Sequence, residues 1–254
     1  MKYAILILCI IDMVLLGAVF RVGQSRADQS NDPALPEHRY GAPSVPVMVL
    51  GTGDGQDGNS TGKEEKNVQD VVKIAITFDD GPHPVYTEKL LDGLKKRGVH
   101  ATFFVTGKSA EAYPELVKRE QEEGHVIGNH TYSHLQLTKG NRRQFKEELQ
   151  KTNQIIKGIT GCDTSFVRPP YGAWDKSLET ELNMIPVLWN VDPLDWCSDD
   201  ADCITRNIIA KVKENSIILM HDQYPSTLEA AFRVIDELQK KGYTFVTVEE
   251  ILFD

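Results

Sequence analysis

Lys73-Ile74-Ala75-Ile76-Thr77-Phe78-Asp79-Asp80-Gly81-Pro82 is an apolar, partly β-branched run that stops at two adjacent carboxylates and a Gly-Pro turn. A run of this kind reads as a buried strand whose C-terminal end delivers Asp79 and Asp80. Open α/β sheets and β/α barrels place their chemistry at that end of their strands. Alone, Asp-Asp-Gly-Pro is an ordinary solvated turn. Four further strand-like runs downstream also end in polar groups, and that repetition sets this one apart.

From residue 71 onward, apolar runs alternate with amphipathic stretches. Strands are expected near 73–78, 100–105, 125–128, 165–167, 185–189, 216–220 and 243–246. Helices are expected near 85–97, 113–123, 141–159, 175–182, 203–213 and 226–241. Strict alternation implies a parallel sheet covered by helices. About seven such units in roughly 180 residues suit a small or incomplete β/α barrel better than two domains. Periodicity alone does not separate that barrel from a doubly wound sheet.

Upstream the composition differs. Tyr3–Phe20 is apolar and flanked by Lys2 and Arg21, at the short end of what spans a bilayer. Asp12 in its middle costs about 2.5–3.5 kcal/mol on insertion scales, and each Leu, Ile, Val or Phe returns about 0.3–0.6 kcal/mol. With eleven of these the segment breaks even or better. Residues 1–22 therefore read as a signal peptide or an N-terminal membrane anchor, and the chain as exported. Residues 23–70, rich in Pro, Gly, Ser, Asn and Asp, read as a flexible linker with ends on the order of 35–40 Å apart. Within it Val45–Leu50 has the pattern of a short strand. Residues 71–254 form the globular, catalytic part.

The chain is 41% hydrophobic and carries a net charge of −9 without a basic cluster, which argues against nucleic acid as a partner. Cys9 belongs to the apolar segment. Cys197 and Cys203 bracket a short acidic loop that a disulfide could close in an oxidising compartment, and we expect that bridge. Their spacing is not that of a zinc site.

The other strand ends carry the chemistry. After Val126-Ile127 comes Gly128-Asn129-His130-Thr131-Tyr132-Ser133-His134. Histidines at i and i+4 share one face of a helical turn and can converge on one metal. Beside Asp79-Asp80 they make a candidate His-His-carboxylate site, and three protein ligands with an open position are what catalytic zinc uses. Arg168-Pro169-Pro170-Tyr171-Gly172 is a stiff loop able to hold Arg168 against a carboxylate. Its prolines donate no N–H, so Tyr171 or Gly172 supplies any backbone donor for substrate. Asp192-Pro193-Leu194-Asp195-Trp196 offers carboxylates and a flat apolar wall for a sugar. Ser216-Ile217-Ile218-Leu219-Met220-His221 ends in a histidine placed to act as a general acid.

In this order, Thr-Phe-Asp-Asp-Gly-Pro, His-x-x-x-His, Arg-Pro-Pro-Tyr-Gly, Asp-x-x-Asp-Trp and Leu-x-His resemble the motifs of the polysaccharide deacetylase family, carbohydrate esterase family 4. The resemblance covers roughly residues 71–254. It implies a distorted, incomplete (β/α) barrel with the active site at the C-terminal ends of the strands. It implies Asp79 as general base, oriented by Arg168, and one divalent metal (zinc, or else cobalt, nickel or manganese) on Asp80, His130 and His134. It further implies the Tyr171 N–H at the oxyanion, His221 as general acid, and Leu219 and Trp196 around the acetyl group. Asp195 is the implied partner of His221, with Asp192 the other candidate. Ala173-Trp174-Asp175 departs from the more polar stretch expected after the third motif, which bears on groove shape and substrate choice.

The chemistry is coherent with the residues. Acetamide is a poor electrophile, so its hydrolysis needs activated water, oxyanion stabilisation and a protonated leaving amine. The expected activity is removal of N-acetyl groups from N-acetylglucosamine residues of a polysaccharide, peptidoglycan first, by a monomer. Chitin or chitooligosaccharide, poly-N-acetylglucosamine and O-acetylated xylan are alternative substrates. An inactive glycan-binding protein on the same fold is the reading from another class.

Overall fold

A computed structural model of the chain describes residues 71–253. The apolar segment Tyr3–Phe20, the linker 23–70 and the strand expected at Val45–Leu50 lie outside the described residues. Among the described residues, no helix is long and apolar enough to cross a membrane.

The stretch that ends in the two carboxylates forms the central strand, β1 (Val72–Asp79). It is followed by α1 (Tyr86–Arg97), β2 (Thr102–Val105), α2 (Gly107–Ala112), α3 (Pro114–Glu122) and β3 (Val126–Asn129). Next come α4 (Arg142–Thr160), β4 (Phe166–Val167), α5 (Ser177–Leu182), β5 (Ile185–Pro186) and α6 (Ala201–Ile209). The chain continues through β6 (Ser216–His221), α7 (Pro225–Lys240), β7 (Tyr243–Val246) and α8 (Val248–Phe253). All seven strands fall where the pattern places them. The helices α2 and α8 are additional. Each has six residues, too few for a 3.6-residue period to declare itself.

The strands pair in parallel in the order β5-β4-β3-β2-β1-β6. One edge of β1 pairs with β6 along its length, from Ile74↔Ser216 to Asp79↔His221. The other edge is shared, β7 taking Val72–Ala75 and β2 taking Thr77–Asp79. Beyond β5 the chain bends across to β6, where Val191 and Ile218 form an isolated parallel bridge. Val187 N–H still bonds to Val167 O of β4, whereas Asn190 and Val191 N–H bond to Ile217 O of β6. The strand expected over 185–189 is therefore two residues long. The remainder of that run closes the ring by a seam one bridge wide, giving an incomplete barrel.

Strand period two sorts side chains to opposite faces. Ile74, Ile76 and Phe78 join Phe103, Val105, Ile218 and Met220 in the layer between sheet and helices. There they meet Leu90, Leu91 and Leu94 of α1 and Val234, Ile235 and Leu238 of α7. The alternate residue Ala75 faces the interior, with Phe104, Phe166, Val187 and Val248. By the same parity Thr77 and Asp79 look inward. At Gly128 an added Cβ would lie 2.4 Å from the Phe104 ring, so only glycine lets β3 pass that close to the filled interior. Burial on both faces is why these strands read as near-continuous apolar runs.

Cys197 and Cys203 are free thiols, contrary to the expected bridge. Asp200 caps α6, accepting from the N–H groups of Asp202 and Cys203, and so fixes Cys203 in the first helical turn. Cys197 ends a 3-10 turn, its Sγ 3.2 Å from Leu194 O. The loop is closed by this cap, and the thiols are committed to their own turns.

Candidate active site

The register of β1 and β6 sets Asp79 and His221 side by side at the mouth of the barrel. Asp79 is buried, and Arg168 Nη1 donates to its Oδ1 at 2.8 Å. Arg168 itself has no exposed surface. Its Nε donates to Val187 O at 3.0 Å, its Nη1 also reaches Thr77 Oγ1 at 2.5 Å, and its guanidinium lies 4.1 Å from the Phe104 ring centre. Burial lowers the Arg168 pKa and the Asp79 charge opposes that fall. A buried cation with these partners fixes the orientation of the carboxylate it faces.

Asp80 lies at the rim with a left-handed backbone, φ 73°. Its Oδ1 is 3.4 Å from His130 Nε2 and 3.6 Å from His134 Nε2. The Oδ1 atom is buried and has no hydrogen-bond partner. Bonds of about 2.0–2.2 Å at tetrahedral angles put neighbouring ligand atoms about 3.3–3.6 Å apart, so both histidine nitrogens stand at co-ligand distance from Asp80 Oδ1, and the ligand atoms of all three residues lie within 4.8 Å of one another. His130 Nδ1 is 2.6 Å from Arg168 O, a contact that assigns its proton to Nδ1 and leaves the Nε2 lone pair for a metal. The residues therefore fit a divalent cation. Burial acts to raise the Asp80 carboxyl, and neighbouring His130, His134 and His221 outweigh it and hold the pKa below the usual value. Burial lowers the pKa of His134.

His130 and His134 converge without a helix. Asn129 Oδ1 accepts from Thr131 N–H at 2.8 Å, and Thr131 Oγ1 accepts from Leu135 N–H at 3.0 Å. Thr131 and His134 both have positive φ, 62° and 61°. Side chain-to-backbone bonds have displaced the helical ladder that the i, i+4 spacing implied.

His221 is paired with Asp195. Its Nδ1 is 2.9 Å from Asp195 Oδ1, and its backbone N–H donates to Oδ2 at 2.8 Å. Thr227 Oγ1 donates to the same Oδ2 at 2.8 Å. Asp192 lies elsewhere on the cleft wall and accepts from Leu194 N–H of its own loop. Burial opposes protonation of His221, but the Asp195 hydrogen bond and charge, with Asp79 and Asp80, raise its pKa to about 9. With Nδ1 engaged, Nε2 carries the free proton.

Asp79, Asp80, His130, His134 and His221 line one cavity of about 430 Å³, with Pro169, Tyr171, Trp189, Asp192, Trp196 and Leu219 as its walls and Arg168 and Asp195 buried behind it. Tyr171 and Trp196 are exposed and Leu219 is buried. The Tyr171 ring meets that of His134 edge-on at 5.0 Å. Ala173, Trp174 and Asp175 line a neighbouring cavity with Leu137, Lys139 and Arg142.

The family model described as polysaccharide deacetylase matches residues 66–187. A chitooligosaccharide deacetylase of Sinorhizobium fredii is 36% identical over a match covering 67% of this chain and 87% of the relative. The chain belongs to the polysaccharide deacetylase family. A peptidoglycan-N-acetylglucosamine deacetylase of Bacillus cereus is 42% identical over 69% of this chain and 66% of its own length. The solved structure of the peptidoglycan deacetylase PdaC from Bacillus subtilis superposes with TM-score 0.69 at 38% identity, covering 72% of this chain and 90% of that chain. Against the whole of PdaC, a peptidoglycan-N-acetylmuramic acid deacetylase, the match is 39% identical over 74% of this chain and 40% of the relative. The chain thus spans two fifths to two thirds of these two peptidoglycan relatives.

Three residues of this cleft and its supports, Thr77, Trp189 and Thr227, are given no role by the sequence reading, although Thr77 opens the Thr-Phe-Asp-Asp-Gly-Pro motif. Thr77 had a signal, its inward parity with Asp79 on β1. Trp189 stands in the apolar run expected as a strand near 185–189, where nothing marks it as a cleft wall. Thr227 lies 32 residues from the carboxylate it serves, and nothing local marks it.

Proposed function

We propose that this chain is an exported, metal-dependent N-deacetylase that hydrolyses N-acetyl groups of N-acetylglucosamine residues in a glycan, peptidoglycan first, releasing acetate. The observation that supports it most is the meeting of two proton carriers with partners of opposite charge, Asp79 on Arg168 and His221 on Asp195, beside the Asp80-His130-His134 cluster in one cleft. Peptidoglycan is the substrate named for the Bacillus cereus and Bacillus subtilis relatives.

A divalent cation on Asp80, His130 and His134, zinc by the donor set, supplies Lewis acidity that polarises the acyl oxygen and makes water nucleophilic at neutral pH. Asp79, oriented by Arg168, takes a proton from the attacking water as the new C–O bond forms. The Tyr171 N–H, first after two prolines, donates to the oxyanion. His221, held protonated by Asp195, gives its Nε2 proton to the amine nitrogen as the C–N bond breaks. Leu219 and Trp196 flank the acetyl group. Residues 1–22 carry the chain to or across the membrane, and 23–70 tether the catalytic part, 71–254, within reach of the wall. A monomer suffices for this chemistry, since one chain supplies every residue named here.

The test is acetate release by the full chain from N-acetylglucosamine oligomers, purified peptidoglycan and O-acetylated xylan oligosaccharides, metal-stripped and then zinc-restored. Zinc-dependent release from an N-acetylated glycan, lost in His130→Ala, is expected. Release from the O-acetylated substrate alone makes the protein an esterase. No release from any of them, with zinc bound, makes it a glycan-binding protein.

A further inference from the structure

The turn that carries Asp80 is held from outside the cleft by residues with no part in the chemistry above. Asp80 adopts its left-handed backbone although it has a Cβ, so something must hold it there. Its carbonyl accepts from Gln223 Nε2 at 3.2 Å and from Ser109 Oγ at 3.3 Å. The next carbonyl, of Gly81, accepts from Thr106 N–H at 3.1 Å. Below the turn lies Asp222, so close that a Cβ on Gly81 would fall 2.4 Å from its Oδ2. Thr87 Oγ1 donates to that same Oδ2 and accepts from His83 N–H at 2.7 Å. Thr87 and Asp222 have no exposed surface.

This arrangement weakens the fold. Asp222 Oδ1 is buried with no hydrogen-bond partner, a destabilising state that an apolar side chain would avoid. Unsatisfied polar groups and sparsely populated backbone conformations gather where a site is held in one geometry. The sequence position is equally telling, because Asp222 and Gln223 directly follow His221. The segment that presents the proton donor also grips the turn that presents the cluster carboxylate. A constellation of this kind tolerates only about 0.5 Å of error.

We propose that Thr87, Asp222 and Gln223 are positioning residues: they lock the Asp79-Asp80-Gly81-Pro82 turn to the His221 segment and so set Asp80 for the metal and for the proton donor. The assignment rests on the metal-site reading of Asp80, His130 and His134.

The experiment compares full-length wild type with Gln223→Leu, Thr87→Val and Thr87→Ser. Zinc affinity is read by chelator competition, the visible spectrum with cobalt(II) substituted, kcat and KM at saturating zinc, and the melting temperature. Gln223→Leu and Thr87→Val are expected to weaken zinc binding 10- to 100-fold, as outer partners of ligands do. They should alter the cobalt spectrum and lower kcat at little-changed KM, while Thr87→Ser, which keeps the hydroxyl, stays within about threefold of wild type. Gln223 lies on a partly exposed loop, so its leucine variant folds. Unchanged zinc affinity, cobalt spectrum and kcat in that variant would overturn the proposal, as would Thr87→Ser failing as badly as Thr87→Val. Wild type that binds zinc but releases no acetate would refute the deacetylase reading and leave the zinc and cobalt measurements as the test of this one.

Discussion

Replacing Asp195 by asparagine tests the electrostatics of the cleft at one atom. Asp195 accepts three hydrogen bonds, from His221 N–H, His221 Nδ1 and Thr227 Oγ1. An amide has one acceptor oxygen and no charge. The rise of His221 from 6.5 to about 9 corresponds to about 3.4 kcal/mol favouring the imidazolium. Burial opposes that rise, and the largest favourable contributions come from Asp195. Asp195→Asn should therefore bring His221 down by about 2 pH units. The stability consequence has a definite sign. A histidine whose pKa is raised on folding adds stability fully present below 6.5 and lost as pH rises through about 9. The pH-dependent part of the difference between wild type and variant should thus be about 3 kcal/mol at pH 6 and vanish above pH 9. Two-dimensional NMR of the imidazole carbons in the metal-free protein reads the first quantity, and urea denaturation across pH the second. The alkaline limb of kcat/KM in the zinc enzyme should move down with it. A variant histidine still titrating near 9, or a stability difference flat in pH, would refute the assignment.

Arg168→Leu leaves the buried Asp79 carboxylate without its cation and should destabilise the protein by about 3–5 kcal/mol, measured by denaturant unfolding, with lysine recovering only part because it lacks the fork. Glu120 on α3 is fully buried and neither carboxylate oxygen has a partner. Burial, with the Asp222 charge second, lifts its pKa well above 4.5. Its contribution is complete below 4.5 and lost as pH rises, so Glu120→Gln should gain stability over wild type by up to about 1.4 kcal/mol per pH unit above that value. Unfolding at pH 5 and pH 8 gives the slope, and an advantage independent of pH contradicts it. Zinc at a hundredfold excess over its Kd should raise the melting temperature by roughly 5–10 °C, and His134→Ala should abolish that response. A thiol reagent should modify Cys162 and Cys197 rapidly in the folded protein, Cys203 more slowly, with no reductant needed; Cys197 and Cys203 reacting only after reduction would restore the discarded disulfide.

The legibility of this chain follows from how local each cause is. Strand and helix periods, and polar groups at strand ends, arise within a few residues, and so the seven strands and the cleft residues Asp79, Asp80, His130, His134, Arg168, Asp195 and His221 stood out. What failed to show depends on contacts between distant segments. The i, i+4 spacing of His130 and His134 looked helical because Asn129 and Thr131 divert the backbone only once their side chains find N–H partners. The Cys197–Cys203 bridge looked plausible because sequence spacing says nothing of the cap Asp200 provides. Thr87 and Asp222 lie 135 residues apart, and their pairing exists only in the folded barrel.

A ring of strands closed by the Val191–Ile218 bridge behaves as a clasp. Along β1, opening means breaking a ladder that runs from Ile74↔Ser216 to Asp79↔His221. At the clasp it means releasing Asn190 and Val191 N–H from Ile217 O and Leu219 N–H from Val191 O. Amide exchange should therefore begin there, well before β1. Trp189 and Asp192 flank the clasp and also form one wall of the cleft. The width available to a glycan is thus set in part by this short clasp, while Arg168, its guanidinium 5.7 Å from the Trp189 ring, ties Asp79 to the same wall.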